Sequence, residues 1–308
     1  MKLVCIMPAR NEDWILGLTA RAVLMWADEL IVLNHASTDR TEEIVLEVAS
    51  EHPQRVGGSY FHDGEWTEME PRQWLLERAR ERGATHIATI DADEVLTGNL
   101  LPTIRSMYES LPAHATLQLP WQCVRNTIYE VHAFGVWGQA FASAGFIDEA
   151  NCHWSSAERG GYQYHHRHPM GRALVPFRPV GRSQGGLLHL QFLDDRRLRA
   201  KQCLYKLQEV ARWPGRQTPA QINATYDLAV YGQYTPNTAH HLAVVPREWW
   251  HPYDGLMQYL KPDAEPWQEA ECKRLWAEHG AAKFAGLDLF GVERWLNMKL
   301  NLGCSELD

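Results

Sequence analysis

The chain has 308 residues, of which 45% are hydrophobic and 22% are charged, and its formal net charge at pH 7 is −8. This composition is too apolar for a disordered chain, and no stretch reaches the ~18 uninterrupted apolar residues that a membrane-spanning helix needs. The excess of acidic residues argues against a protein built around a basic nucleic-acid groove. The six cysteines are far apart and form no C-x-x-C pair, so we expect reduced thiols in a cytoplasmic protein.

The first ~110 residues alternate between strand and helix patterns, which predicts a mostly parallel sheet covered by helices. Predicted strands cover residues 2–7, 29–33, 55–61 and 85–90, and predicted helices cover residues 12–26, 41–49 and 73–82. Asp39 is placed to cap the second helix, with Glu42 three residues further on.

The remaining chain divides into an aromatic middle region and a tail. Residues 117–119 and 186–192 predict further strands, and the middle region shows no long helix pattern. Apolar spacing predicts helices in the tail around Leu204, around Trp267 and around Phe290, the last one including Trp295 and Leu296. We expect one compact unit with a helical extension.

An acidic motif directly follows the fourth predicted strand. In the sequence Ile90-Asp91-Ala92-Asp93-Glu94, residues two apart project to the same side of an extended chain, so Asp91 and Asp93 converge. The carboxyl ends of strands are where open α/β sheets bind ligands. Paired carboxylates there favour a hard divalent cation such as Mg²⁺ or Mn²⁺, and the alternative is an ordinary acidic turn.

Two more polar motifs follow predicted parallel strands. Pro8-Ala9-Arg10-Asn11-Glu12 lies between the first strand and the first helix, and residues 34–41 (NHASTDRT) lie between the second strand and the second helix. All three motifs are therefore expected at one edge of the sheet. Helix N-termini at that edge offer N–H groups and a favourable dipole to an anion such as a diphosphate.

This ordered set resembles the family-2 glycosyltransferases of the GT-A fold. Those proteins have a P-x-x-N-E start, a D-D/x-G-S-T-D-x-T loop after the second strand, and a D-x-D motif after the fourth. The resemblance implies an α/β fold of the GT-A type, with a Rossmann-like, mostly parallel sheet flanked by helices. On that basis residues 1–192 form the nucleotide-sugar-binding and catalytic domain, and residues 193–308 form a helical extension packed on it.

The same resemblance implies an activity. The chain is expected to move a sugar from a nucleoside-diphosphate sugar, with UDP favoured, to an acceptor hydroxyl, with inversion and with Mn²⁺ or Mg²⁺. The acceptor is left open between a saccharide, a glycan, a protein and a modified nucleic acid. The alternatives are a catalytically degenerate protein that binds a nucleotide sugar or glycan, and nucleotidyl transfer on the same fold.

The resemblance also assigns roles to residues. Expected in or beside the nucleotide pocket are Pro8, Ala9, Arg10, Glu12, Asn34, Asp39, Arg72 and Asp91. Asp93 is expected to ligate the metal, and His189 is a further candidate ligand. Asn34 departs from the family pattern, because it stands where an aspartate is usual and brings no charge.

A catalytic base and a histidine cluster complete the candidates. Transfer with inversion needs a carboxylate that accepts the proton of the acceptor hydroxyl, and the candidates are Asp148, Glu149 and Glu158. Arg159 stands where the family often has an aspartate after such a glutamate. His165, His166 and His168 are spaced poorly for a zinc site, so we expect a loop facing the donor or the acceptor.

Overall fold

The computed structural model describes residues 1–61, 69–155, 167–232 and 242–292. The chain divides into two compact units, of which the first comprises residues 1–123, 137–190 and 244–262 and the second comprises residues 124–136, 191–243 and 263–308. The predicted boundary between residues 192 and 193 stays a prediction. Among the helices that the structure describes, none is both long and apolar enough to cross a membrane.

The strands in chain order are β1 Leu3–Ala9, β2 Glu29–Asn34, β3 Val56–Phe61, β4 His86–Thr89, β5 Glu94–Leu96, β6 Ala115–Cys123, β7 Glu130–His132, β8 Phe141–Ile147, β9 Val175–Phe177, β10 Leu187–His189 and β11 Leu242–Val244. The α-helices are α1 Leu16–Leu24, α2 Thr41–Glu51, α3 Met69–Glu81, α4 Ile104–Glu109, α5 Gly135–Gln139, α6 Asp195–Arg212, α7 Pro219–Tyr231 and α8 Trp267–His279. The second unit contains α6, α7 and α8, and the small sheet of β7 and β11.

Within the described ranges, the main sheet has the strand order β3-β2-β1-β4-β8-β6-β10-β5, with β9 paired to β6. The pairs from β3 to β4 are parallel, and so is the pair of β6 and β10. Strand β8 is antiparallel to both of its neighbours, β4 and β6. The ends of β1, β2, β4, β6 and β10 therefore meet at one edge, the carboxyl edge, while β8 ends at the opposite, amino edge.

Helices cover both faces of this sheet, which explains why β1 is buried along its whole length. Leu3, Cys5 and Met7 belong to a core that includes side chains of α1 and α2. Val4 and Ile6 belong to a second core that includes side chains of α3. The predicted fold class, a mostly parallel sheet flanked by helices and followed by a helical tail, is confirmed.

Several predicted boundaries are wrong. Helix α1 begins at Leu16 rather than at residue 12, because Asn11 adopts a left-handed backbone with φ of 54° and a turn follows it. The predicted strand 186–192 is short, since β10 ends at His189 and a 3₁₀ turn continues to Phe192. Phe290 lies in a turn with φ of 59° instead of a helix, and Trp295 and Leu296 lie outside the described residues.

Helix α7 was not predicted, although its start carries a recognisable signal. Oγ1 of Thr218 accepts a hydrogen bond from the backbone N–H of Gln221, Oε1 of Gln221 accepts one from the backbone N–H of Thr218, and Pro219 is the first helical residue. This capping box with a proline at the first position is a typical helix start.

The five cysteines among the described residues are free thiols and all are buried.

Candidate active site at the carboxyl edge

The loops after β1 and β2 are joined by hydrogen bonds. The backbone N–H of Asn11 donates to Oγ of Ser37 (2.9 Å), and the N–H of Thr38 donates to Oδ1 of Asn11 (2.7 Å). The N–H of Ser37 donates to Oδ1 of Asn34 (3.1 Å). The left-handed backbone of Asn11 turns its N–H and its side chain toward the second loop. The two loops therefore form one rigid surface.

Asp39 lies at the centre of this surface. Its two carboxylate oxygens accept the backbone N–H groups of Thr41 (2.9 Å) and Asp13 (3.0 Å). The first bond reaches the first residue of α2, but the N-cap position is Arg40 and has no side-chain cap bond, so the predicted cap by Asp39 is wrong. The second bond reaches back to the first loop. Burial and the nearby charge of Asp39 raise the pKa of the Asp13 carboxyl. Asp39 thus holds the backbones of the two loops together.

The other predicted pocket residues lie on the same surface. Pro8 and Ala9 end β1 opposite Leu33 and Asn34 of β2. Nη1 of Arg10 lies 3.4 Å from Nδ1 of His35. Glu12 accepts a hydrogen bond from the Trp14 indole (2.7 Å). Asn34 is fully buried, and its Nδ2 makes no hydrogen bond to any residue that the structure describes.

The acidic motif lies next to these loops, because β4 pairs with β1. Asp91 is about one-third exposed (30%), and its Oδ1 accepts a hydrogen bond from Nη2 of the buried Arg72 (3.0 Å). Its Oδ2 lies 3.7 Å from Nη1 of Arg167. Two guanidinium groups thus balance the charge of a carboxylate that solvent still reaches.

Asp93 and His189 are brought together by the pairing of β5 with β10. The N–H of Leu190 donates to the backbone oxygen of Asp93 (2.9 Å), and Nε2 of His189 lies 3.5 Å from Oδ2 of Asp93. Both side chains are more than nine-tenths buried. A carboxylate oxygen and an imidazole nitrogen at this separation suit two ligands of one divalent cation.

No group of three or more His, Cys, Asp or Glu side chains that could hold a metal occurs among the described residues. A site with two protein ligands still fits a cation that takes its other ligands from phosphate oxygens and water, as Mg²⁺ commonly does beside nucleotides. The donor set is therefore compatible with a metal that binds together with a diphosphate.

Glu94 is fully buried and supports both parts of the motif. It accepts hydrogen bonds from both terminal nitrogens of Arg167 (2.5 and 2.7 Å), from the Trp121 indole (2.7 Å) and from the N–H of Asp91 (3.0 Å). A carboxylate has about four acceptor positions, so these four donors occupy it. Neither Arg167 nor Trp121 belongs to a spaced sequence motif, so the sequence alone does not predict a role for them.

Asp148 and Glu149 are not brought to this site. Because β8 is antiparallel to β4, Asp148 lies beside Thr85 at the amino edge, about 20 Å from Asp91 at ~3.3 Å per residue along β4. Two nitrogens of Arg80 bind its carboxylate (2.8 and 2.9 Å). This placement argues against either residue as the catalytic base.

Glu149 also has local partners at the amino edge. It accepts a hydrogen bond from His114 (2.9 Å), and Arg172 lies 3.6 Å away. His168 is buried there, with Nδ1 3.0 Å from Oγ1 of Thr116 in the first half of β6. The remaining predicted residues of this region, Glu158, His165 and His166, lie outside the described residues.

Residues 4–139 match the model of Glycosyl transferase family 2, which confirms the predicted resemblance for this segment. Among solved structures, S. aureus TarS 1–349 in complex with UDP is 16% identical over 39% of this chain and 36% of its own chain, with a TM-score of 0.33. A second structure of S. aureus TarS 1–349 is 10% identical over 75% of this chain and 70% of its own, with a TM-score of 0.39.

The mannosyltransferase PcManGT from Pyrobaculum calidifontis in complex with GDP-Man and Mn²⁺ is also similar. It is 14% identical over 96% of this chain and 83% of its own, with a TM-score of 0.37. No curated protein sequence matches this chain at a significant level.

Proposed function

We propose that this chain, whose residues 4–139 match glycosyl transferase family 2, moves a sugar from a nucleoside-diphosphate sugar to an acceptor hydroxyl. The observation that carries the proposal is the pair of Asp93 and His189 beside the pair of Arg72 and Asp91. One pair offers ligands to a cation, and the other combines a guanidinium with a partly exposed carboxylate. All four lie at the carboxyl edge, where sheets of this type bind ligands.

The joined loops support nucleotide binding. Their backbones are held by Asn11, Asn34 and Asp39 before any ligand arrives. A pocket already in its binding shape loses less entropy when the ligand binds. In this proposal Pro8, Ala9, Arg10 and Glu12 form one wall of the nucleotide pocket, and Arg72 orients Asp91 toward the ribose side.

In this proposal Asp93 and His189 bind Mn²⁺ or Mg²⁺. Bound there, the cation would supply positive charge to the leaving nucleoside diphosphate. Asp93 contributes the charged ligand, and His189 contributes a neutral nitrogen when its imidazole is unprotonated. Burial of both side chains keeps water away from their ligand atoms and makes their electrostatic interaction with a cation stronger than in water.

Inversion at the sugar carbon needs a carboxylate within hydrogen-bond reach of the acceptor hydroxyl. Asp148 and Glu149 are left out of this role because they lie at the amino edge. Glu94 is left out because four N–H donors occupy its oxygens. Glu158 remains our candidate base, and the anomeric configuration of the product, read by NMR, tests the inversion.

The first test is calorimetric titration of the full chain with UDP and with GDP, each with and without Mn²⁺. We expect one nucleotide to bind more tightly with Mn²⁺, and we expect Asp93→Asn and His189→Asn to remove that gain. Asp254→Asn, at an exposed carboxylate, serves as the control. If neither nucleotide binds the wild-type chain with Mn²⁺, the proposal is wrong.

The second test separates the enzyme from a protein that only binds its ligand. Asn34 and Arg159, which replace family carboxylates, favour the second candidate. Water is itself a hydroxyl acceptor, so incubation of an active enzyme with a UDP-sugar or a GDP-sugar should release free sugar and the nucleoside diphosphate. Tight binding without any release would favour the binding protein.

A further inference from the structure

We propose that Trp121 is a positioning residue, which holds the imidazole of His189 in the orientation that faces Asp93. This inference rests on the proposed function, since it concerns the cation that Asp93 and His189 would bind. It adds a residue outside the three sequence motifs, and it assigns a role to the buried Glu94.

The two rings are stacked on neighbouring strands. In the parallel pair of β6 and β10, Trp121 lies opposite Leu187, so His189 is its diagonal neighbour on the same face of the sheet. The ring centroids are 4.3 Å apart, and the planes differ by 13°. Rotation of the imidazole out of this plane would break the stack. The indole therefore fixes the plane in which Nε2 points toward Oδ2.

The indole is itself held on two sides. Its Nε1 donates to Oε1 of the fully buried Glu94 (2.7 Å), and its ring packs edge-to-face on Trp137, with centroids 6.5 Å apart. Hydrogen bonds to charged groups inside proteins are stronger than neutral ones. The indole has only this one donor, so turning the ring would break its hydrogen bond to the buried carboxylate of Glu94.

Glu94 is kept in place by charge. Arg167 pairs with both of its oxygens and also donates to the backbone oxygen of Thr89 (2.5 Å), at the end of β4. The same carboxylate accepts the N–H of Asp91. Glu94 thus fixes the turn of the acidic motif directly and the imidazole of His189 through Trp121. Supporting contacts of this kind orient metal ligands in many proteins.

The test compares Trp121→Leu, which removes the stack and the N–H donor, with Trp26→Leu. Trp26 serves as the control, because it also stacks on an aromatic ring, that of Tyr108 (6.2 Å, 12°), although Trp26 is buried and Trp121 is half-buried. The quantity measured is the Kd of UDP, or of GDP if that is the nucleotide that the wild-type chain binds, with and without Mn²⁺.

For Trp121→Leu we expect the Kd measured with Mn²⁺ to rise ~10- to 100-fold, the range seen when a contact that supports a metal ligand is removed. The Kd measured without Mn²⁺ should stay the same, and Trp26→Leu should leave both values unchanged even if it lowers the melting temperature. Trp121→Phe, which keeps a ring but lacks the N–H, should fall between wild type and Trp121→Leu.

The double variant His189→Asn/Trp121→Leu tests whether Trp121 acts through His189. Residues that act as a unit give non-additive effects, so Trp121→Leu should add nothing in the His189→Asn background. Equal losses with and without Mn²⁺ would mean that Trp121 contacts the nucleotide itself, and they would overturn the inference. A Trp121→Leu variant that keeps wild-type affinity with Mn²⁺ would overturn it while the proposed function stands. If the wild-type chain shows no Mn²⁺-dependent binding, the proposed function is wrong and this inference is wrong with it.

Discussion

A carboxylate paired with an arginine lies near each end of β4, Asp91 after β4 itself and Asp148 after the neighbouring β8, and the two carboxylates differ in exposure. At the carboxyl edge, Asp91 is 30% exposed and binds one nitrogen of Arg72. At the amino edge, Asp148 is 12% exposed and binds two nitrogens of Arg80, which also donates to two backbone oxygens. The first pair leaves a carboxylate open to a ligand, whereas the second ties chain segments together.

The difference follows from strand direction. Both carboxylates follow a strand closely along the chain, Asp91 after β4 and Asp148 after β8. Because β8 runs antiparallel to β4, its end is at the wrong edge for ligand binding. An acidic motif therefore predicts a site only when the direction of the preceding strand is known.

The largest effect is expected on turnover, from a change at the carboxyl edge. We expect Asp93→Asn to lower sugar transfer or donor hydrolysis by ~100-fold or more, since metal charge on a leaving group is worth several kcal/mol. Thermal unfolding of the free protein should change little, because the variant keeps the size of the side chain. Near-normal turnover by a folded Asp93→Asn protein would contradict the proposal that the active site lies at the carboxyl edge.

The next effect is on stability at the amino edge. Asp148→Asn replaces a charged partner of Arg80, and hydrogen bonds to charged groups contribute about 2 kcal/mol. We expect urea unfolding to show a loss of that order, with the Kd of the nucleotide unchanged. A loss of nucleotide affinity without a loss of stability would contradict a purely structural role for Asp148.

A smaller effect is expected at Arg72. Arg72→Lys keeps the positive charge but not the planar guanidinium that reaches Asp91. We expect nucleotide binding to weaken about 10-fold, equivalent to about 1.4 kcal/mol. The matched change at the amino edge, Arg80→Lys, should leave nucleotide affinity unchanged. Equal effects of the two changes on the Kd would contradict the claim that only the carboxyl edge binds the nucleotide.

The smallest effect depends on pH. Burial alone would raise the pKa of Glu149, but the hydrogen bond from His114 and the charge of Arg172 outweigh it and lower the pKa below its ordinary value near 4.5. A depressed carboxyl pKa contributes stability that is present above the ordinary pKa and is lost as pH falls through the folded-state pKa.

We therefore expect Glu149→Gln to be less stable than wild type by less than about 1 kcal/mol at pH 7. The difference should shrink below pH 4.5, and melting curves over pH 3–7 would show it. A difference that grows toward acid would mean that Glu149 is not stabilised in its charged form.

The sequence predicted the first half of the sheet well, but the acidic motif is not the extended chain that was expected: residues 92 and 93 lie in a turn in which the N–H of Glu94 donates to the backbone oxygen of Asp91 (3.0 Å). The strands up to residue 90 are short apolar runs bounded by turns, and parallel strands necessarily bring their ends together. The predicted role of Asp93 and His189 as ligands of one metal stays a prediction, and the structure places the two side chains 3.5 Å apart. The order of motifs along the chain was enough to suggest it, although 96 positions separate the two residues.

The sequence could not predict which strand is antiparallel. Residues 141–147 look like any half-buried strand, and their direction depends on β8 inserting between β4 and β6. It also gave no sign of Arg167 and Trp121, because their roles come from contacts with Glu94 across distant parts of the chain.

The G-x-S-x-G sequence at 181–185 matches the pattern around the nucleophilic serine of many hydrolases. Here it is followed by a strand, unlike the helix that a serine nucleophile needs.

The hydrogen bonds between the loops after β1 and β2 have a consequence for the rate of ligand entry. Ordering a free loop costs ~1–2 kcal/mol per residue in backbone entropy, and here the folded chain has already ordered both loops through Asn11 and Asp39. In the proposed function, a nucleotide that binds at these loops finds both of them already ordered. Association there should be limited by diffusion and desolvation, and Asn11→Ala should slow it by letting the two loops move apart.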